Sequence, residues 1–195
     1  FGHVDMVQAI RSPGSTLKPF IYGAALESGF TAATTVNDAP IVLQGASLAA
    51  NWRPENSSRK FYGPTRLRVG LYKSRNLVSI RLLRAIGIDY ALDYLAKFGF
   101  KRDQLPQNLS LSLGAADLTP LDLIGGYGPF ANGGYRIKPW FIERIEDKDG
   151  KVLWKAPKVI KCDDDCDTTA SQTADNNQQA SDQDGNTDQP PPVMA

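Results

Sequence analysis

The sequence predicts an α+β fold that is mostly helical and carries a single hairpin. Apolar runs at helical spacing recur and stop at Gly29, Gly87 and Gly99, the residue type that most often follows a helix. One Asp149-Gly150 turn lies between two short strand-like runs, a strong local hairpin signal. By contrast, Thr31 to Pro64 is rich in Ala, Asn, Ser and Pro with few strand signals, and reads as a long functional loop.

Taken in order, Ser15 to Ser28 reads as the first helix. Pro13 fixes its entry, and Pro19 is tolerated because the first turn has no internal N–H partner there. Thr65 to Lys73 reads as a short helix and Asn76 to Ala85 as a second, ending at Gly87. Asp89 is placed to cap Tyr90 to Phe98, which ends at Gly99. Thr119 followed by Pro120 opens a helix through Ala131, where the glycines at 125, 126 and 128 argue against the helix or mark close packing. Trp140 to Ile145 and Val152 to Trp154, joined by Glu146-Asp-Lys-Asp-Gly150, form the hairpin.

One short run dictates chemistry: Arg11-Ser-Pro-Gly-Ser-Thr-Leu-Lys-Pro-Phe20. A helix beginning near Gly14 puts the Ser15 hydroxyl and the Lys18 amine on one face. Ser15 then sits in the first turn, where unpaired N–H groups and the positive dipole end favour an alkoxide. A serine needs a base to become a nucleophile, and a partly desolvated lysine is neutral enough to serve. Ser-x-x-Lys alone is a common surface pattern. Here it is followed by Ile21-Tyr-Gly-Ala-Ala-Leu26, so the helix is apolar all round and therefore buried, and a buried lysine requires a reason.

A second pair, Ser74 and Asn76, lies in Val69-Gly-Leu-Tyr-Lys-Ser-Arg-Asn-Leu-Val78. From a turn between helices, the hydroxyl is able to relay a proton and the amide to bind a carbonyl and orient the lysine. Alone, such a pair is no more than a helix cap; its weight comes from following Ser-x-x-Lys in that order.

Length and charge bound the rest. The 195 residues suit one domain. Up to Lys161 there are 22 Lys and Arg against 13 acidic residues, a net +9, and from Cys162 on 8 Asp and no base leave −8. That tail, rich in Gln, Asn, Ser and Thr and ending near Pro190-Pro-Pro192, buries too little apolar area to offset its ordering entropy. The expected organisation is a partial domain at 1–161 and an acidic, Pro-ended flexible linker or insertion at 162–195. The basic charges are scattered, which argues against nucleic acid as a partner.

Ser-x-x-Lys followed by Ser-x-Asn is part of the signature of penicillin-binding proteins and serine β-lactamases. Beyond these motifs, Asn51-Trp-Arg-Pro-Glu-Asn56, Phe61-Tyr-Gly-Pro64, Leu111-Ser-Leu-Gly114, Thr119-Pro-Leu-Asp-Leu and Phe130-Ala-Asn-Gly-Gly134 resemble the transpeptidase domain of class A, Gram-negative-type penicillin-binding proteins. The resemblance runs from about Arg11 to about Asp167. It implies the helical part of a penicillin-binding/serine β-lactamase-like fold with much of the antiparallel sheet lacking. Neither Lys-Thr-Gly nor Lys-Ser-Gly occurs in the chain, so the expectation is an internal fragment of a larger, membrane-anchored enzyme, inactive alone.

The resemblance further implies a serine D,D-transpeptidase at the periplasmic face of the bacterial inner membrane, coupled to a glycosyltransferase. Ser15 would be the nucleophile, Lys18 its base, Ser74 the proton relay and Asn76 the holder of the substrate amide. Peptidoglycan stem peptides, lipid-linked glycan strands, β-lactams and other cell-wall synthesis proteins are the implied partners, with no metal or organic cofactor. Trp52 would either line the substrate groove or pin its loop to the core, and Lys73 and Arg75 would either face an acidic substrate or form a solvated rim. In an oxidising compartment Cys162 and Cys166 would close a small disulfide loop; the rival zinc site lacks a second Cys pair. A β-lactam sensor and a non-catalytic interaction module are the alternatives.

Overall fold

The computed structural model describes residues 5–42, 52–137, 139 and 141–156. The two cysteines, and the expected domain boundary after Lys161, lie outside them. The chain divides into two compact units, Phe1–Tyr127 and Gly128–Ala195.

In the first unit, the helix of the Ser-x-x-Lys run is the central element. It starts as a 3-10 turn, Gly14–Leu17, and continues as α1 (Lys18–Glu27). Gly29, at φ +100, follows its end. As expected for a helix apolar on every side, Lys18, Phe20, Ile21, Tyr22, Ala24 and Ala25 are all buried. One flank packs Leu17, Phe20, Ile21 and Ala24 against Ala91, Leu92, Leu95, Phe98 and Phe100. The other packs Tyr22 and Ala25 against Leu67, Val78 and Leu82. Phe20 meets the rings of Phe98, Phe100 and Tyr127 edge-on, at centroid distances of 5.2, 4.9 and 5.1 Å, the orientation that ring quadrupoles favour.

Around α1 stand α2 (Leu67–Tyr72), α3 (Asn76–Ile86) and α4 (Ile88–Lys97). Gly87, at φ +91, ends α3 and opens α4. Asp89 is therefore inside the first turn of α4 and not its cap; its carboxylate accepts from Arg102 instead. Short 3-10 turns at Arg102–Gln104 and Leu109–Leu113, which carry no helical periodicity in the sequence, follow. α5 (Pro120–Ala131) begins where expected. Thr119 and Asp122 bond reciprocally, Thr119 N–H to the carboxylate at 3.2 Å and Asp122 N–H to the hydroxyl at 3.0 Å, a capping box. Gly126 is explained by close packing, since a Cβ there would stand 2.4 Å from the Phe100 ring.

The segment read as a long loop contains one strand and the start of a second. β1 (Thr35–Asp38) pairs antiparallel with β2 (Gly63–Arg66), in the register Thr35 with Arg66 and Asp38 with Gly63. The helix expected from Thr65 consequently starts at Leu67, because Thr65 and Arg66 are occupied by the ladder. Four-residue strands, one of them beginning Gly-Pro, offer too little alternation to be read from sequence. In the second unit, β3 (Arg144–Glu146) and β4 (Val152–Lys155) form the expected hairpin, with Gly150 at φ +81 and a first strand shorter than foreseen. No described helix is long and apolar enough to cross a membrane.

Candidate active site

Ser15 lies inside the 3-10 turn, and the Lys18 N–H donates to the Ser15 carbonyl. Ser15 and Lys18 thus lie one turn apart along the chain, Ser15 exposed and Lys18 buried. The turn is fastened from several directions by main-chain groups. Arg11 and Leu118 exchange two backbone bonds of 2.8 and 3.1 Å, and Gly14 N–H donates to Gly114 O at 3.2 Å. The Ser12 hydroxyl also donates to Gly114 O, at 2.7 Å, and Tyr127 OH donates to Thr16 O at 2.6 Å. Gly114 is at φ +77, and a Cβ on it would lie 1.8 Å from Gly14 O. Only glycine admits so close an approach.

Lys18 points the other way, into the protein. It is 1% exposed. Its Nζ donates to Ser74 O at 2.9 Å, Ser74 Oγ at 3.0 Å and Asn76 Oδ1 at 2.7 Å. Three acceptors match the three N–H bonds of an ammonium, and none of them is a carboxylate. Burial without a counter-charge pulls the Lys18 pKa down from 10.5 to about 8, the direction desolvation imposes on a cation.

Ser74 reaches Lys18 through an unusual backbone. It follows the C-cap Lys73 of α2 at φ +53, where a residue with a Cβ is strained by roughly 1–2 kcal/mol. Ser74 N–H bonds Leu71 O and Arg75 N–H bonds Gly70 O, both at 2.8 Å. This is the pattern of a helix end that normally uses glycine at the left-handed position. Here serine occupies it, so both its carbonyl and its hydroxyl are delivered to one amine.

The structure thus brings Lys18, Ser74 and Asn76 together, from positions 56 and 58 residues apart in sequence. Ser15 stands one turn away; its side chain is exposed and makes no hydrogen bond among the described residues. Trp52 is half-buried, and no hydrogen bond joins it to Lys18, Ser74 or Asn76 among the described residues. Arg75 is neither a rim charge nor aimed at open solvent: its guanidinium lies 3.4 Å from the centre of the Tyr62 ring and its side chain is 14% exposed. Sequence reasoning passed over Gly114, Asp38 and Asn56 as individuals. Asn56 Oδ1 accepts from Asn76 N–H at 2.9 Å, and its Nδ2 donates to Asp38 Oδ1 at 2.7 Å. Asn56 and Gly114 fall in short runs that resemble one family, and Asp38 falls in none of them.

The family model for the penicillin binding protein transpeptidase domain matches residues 3–190. The chain belongs to that family. Among its relatives, penicillin-binding protein 1A of Pseudomonas aeruginosa is 57% identical over 155 residues, which is 78% of this chain and 19% of the relative. That of Escherichia coli is 44% identical over 160 residues, 82% of this chain and 19% of the relative. The crystal structure of penicillin-binding protein 1A from Haemophilus influenzae superposes with a TM-score of 0.73 at 45% identity, covering 77% of this chain and 22% of that one. Penicillin-binding protein A of Mycobacterium tuberculosis, at 22% identity, has the same fold with a TM-score of 0.70 over 78% of this chain and 40% of that one. The chain therefore spans about a fifth of the length of the penicillin-binding proteins 1A it matches, and its helices and two small hairpins are part of the transpeptidase fold.

Proposed function

We propose that this chain supplies the acylation centre of a peptidoglycan serine D,D-transpeptidase that also binds penicillin. The observation that carries the reading is the buried Lys18 amine, held among Ser74 O, Ser74 Oγ and Asn76 Oδ1 one turn from an exposed serine. In its neutral form that amine takes the proton of Ser15 as Oγ attacks the penultimate carbonyl of a D-alanyl-D-alanine stem. The carbonyl–nitrogen bond breaks, and the departing D-Ala amine receives a proton relayed through the Ser74 hydroxyl. An amine from a neighbouring stem peptide then attacks the ester and frees Ser15, completing the cross-link. A β-lactam presents an equivalent carbonyl and stops at the acyl stage.

Asn76 is suited to two tasks at once. Its Oδ1 holds Lys18, one N–H of Nδ2 donates to Glu55 O at 2.8 Å, and the second N–H, unbonded among the described residues, is left to bind a substrate carbonyl. The Ser15 N–H supplies one oxyanion donor. The third motif of the family, Lys-Thr-Gly, is absent from the sequence, and the reading places it elsewhere in a longer polypeptide. The same reading assigns the whole protein a glycosyltransferase partner domain, lipid-linked glycan substrates and a place at the periplasmic face of the inner membrane.

The test is labelling with fluorescent penicillin in the longest natural polypeptide that carries this sequence. Wild type is expected to form a covalent adduct and Ser15→Ala none. Label that persists in Ser15→Ala overturns the assignment.

A further inference from the structure

Neither Lys18 nor Asn76 is positioned by its own helix alone. The N-terminus of α3 leaves its first N–H groups without intrahelical partners, and Arg75, the residue at the cap position, supplies no side-chain bond. A residue 20 positions upstream does so instead: Asn56 Oδ1 accepts from Asn76 N–H at 2.9 Å and from Leu77 N–H at 3.4 Å. Asn56 is 4% exposed. Its orientation is dictated from the other side, where Nδ2 donates to Asp38 Oδ1 at 2.7 Å and to Lys60 O at 2.9 Å. Both of those groups only accept, so the amide cannot turn over without losing both bonds and aiming N–H at N–H.

Asp38 is 0% exposed. It is the last residue of β1, opposite Gly63, and its own carbonyl accepts from Tyr62 N–H at 3.1 Å. A buried carboxylate is costly unless it is paired: Oδ2 of Asp38 faces the Arg75 guanidinium, Nε at 3.9 Å, and Oδ1 accepts from Asn56, which leads directly to the residue that holds the Lys18 amine. The next residue back, Glu55, accepts from the Asn76 side chain through its carbonyl. A loop of the first hairpin thus grips Asn76 at its main chain and its side chain.

We propose that Asn56, oriented by Asp38, is a positioning residue for acylation: it caps the helix that carries Asn76 and thereby fixes the acceptor that aims the Lys18 amine. The inference rests on the Ser15 acyl-enzyme reading, and the two fail separately. Label persisting in Ser15→Ala overturns the reading, whereas the outcomes below bear on the positioning role alone.

The experiment measures penicillin acylation by stopped flow in the same long polypeptide, separating the non-covalent dissociation constant from the acylation rate constant, with thermal melting followed in parallel. Asn56→Ala is expected to lower the rate constant by about tenfold or more, since a small misplacement of a catalytic group is enough for that. The dissociation constant is expected to rise by less than about threefold, and the final labelling stoichiometry to stay complete. Asn56→Asp keeps the acceptor for α3 but sets a second carboxylate against Asp38, and is expected to be equally slow. The transposed pair Asp38→Asn with Asn56→Asp restores the bond between the two positions but not the one to Lys60 O, and is expected to acylate at least about threefold faster than Asn56→Asp. A wild-type rate constant in Asn56→Ala, or lost label that tracks only lost folded protein, overturns the proposal. A transposed pair no faster than Asn56→Asp overturns the part assigned to Asp38.

Discussion

Ser15 and Lys18 are three residues apart on one turn, yet their surroundings fix them by opposite means. The Ser15 turn is exposed and gripped by main chain: Gly14 to Gly114, Arg11 to Leu118, and Thr16 O to Tyr127. The Lys18 head is buried and gripped by Ser74 and Asn76 from another pair of helices. In the proposed mechanism the nucleophile must meet a bulky substrate and so stays accessible, whereas a lysine base must be dry to give up its proton near neutrality. One helix satisfies both because it passes from surface to core within a single turn. The comparison teaches that accessibility and desolvation are separated here by three residues, and each side is open to selective damage.

The largest expected effect is on the buried side. Lys18→Met keeps an unbranched chain in the cavity but removes the base, and penicillin acylation is expected to fall by about 10²–10⁴. The stranded acceptors on Ser74 and Asn76 are expected to cost about 1–3 kcal/mol of stability, read by denaturant melting. Acylation within tenfold of wild type would show that the dry amine is not the base.

The accessible side is best broken through its backbone contact. Gly114→Ala would drive a methyl into Gly14 O at 1.8 Å, at a φ of +77 that alanine disfavours. The expected loss is roughly 2–4 kcal/mol, and acylation is expected to slow by about tenfold or more as the Ser15 turn is displaced. Unchanged melting would mean that the two segments do not touch as described.

A pH profile sharpens the difference without a mutation. The amine acts as a base only when neutral, and its pKa is lowered to about 8. The acylation rate is therefore expected to rise as pH rises through about 8 and to level off above it, falling about tenfold per unit on the acid side. A profile flat from pH 6 to 10 would break the link between burial and catalysis.

The smallest effect separates strain from function at Ser74. At φ +53, glycine is free of the Cβ penalty, so Ser74→Gly is expected to melt higher than Ser74→Ala by about 1 kcal/mol. Both variants lack the hydroxyl and are expected to acylate slowly. Equal stability of the two would remove the argument that serine is kept there against local preference.

Much of this was legible in the sequence wherever the determinant is local. The Ser15–Lys18 spacing, the helix start at Thr119-Pro120, the glycine stops and the Asp149-Gly150 turn all act within one helical turn or one β-turn. The burial of Lys18 was legible too, because a helix without a polar face has nowhere to put it but inside. The pairing of β1 with β2 was not legible, since strands of four residues some 28 positions apart in register carry no period of their own. Asp89 was misassigned as a cap because the glycine before it serves two helices at once.

By itself, then, the sequence determined which residue types share a turn, where helices stop, and that one amine must be desolvated. Backbone geometry and side-chain hydropathy fix those features at short range. Only the tertiary structure decided that Ser74 and Asn76 surround that amine, that Asn56 caps α3, and that Gly114 lies against Gly14. Those contacts form when packing closes loops of 20 to 102 residues, and no local pattern encodes which distant groups the closure will bring face to face.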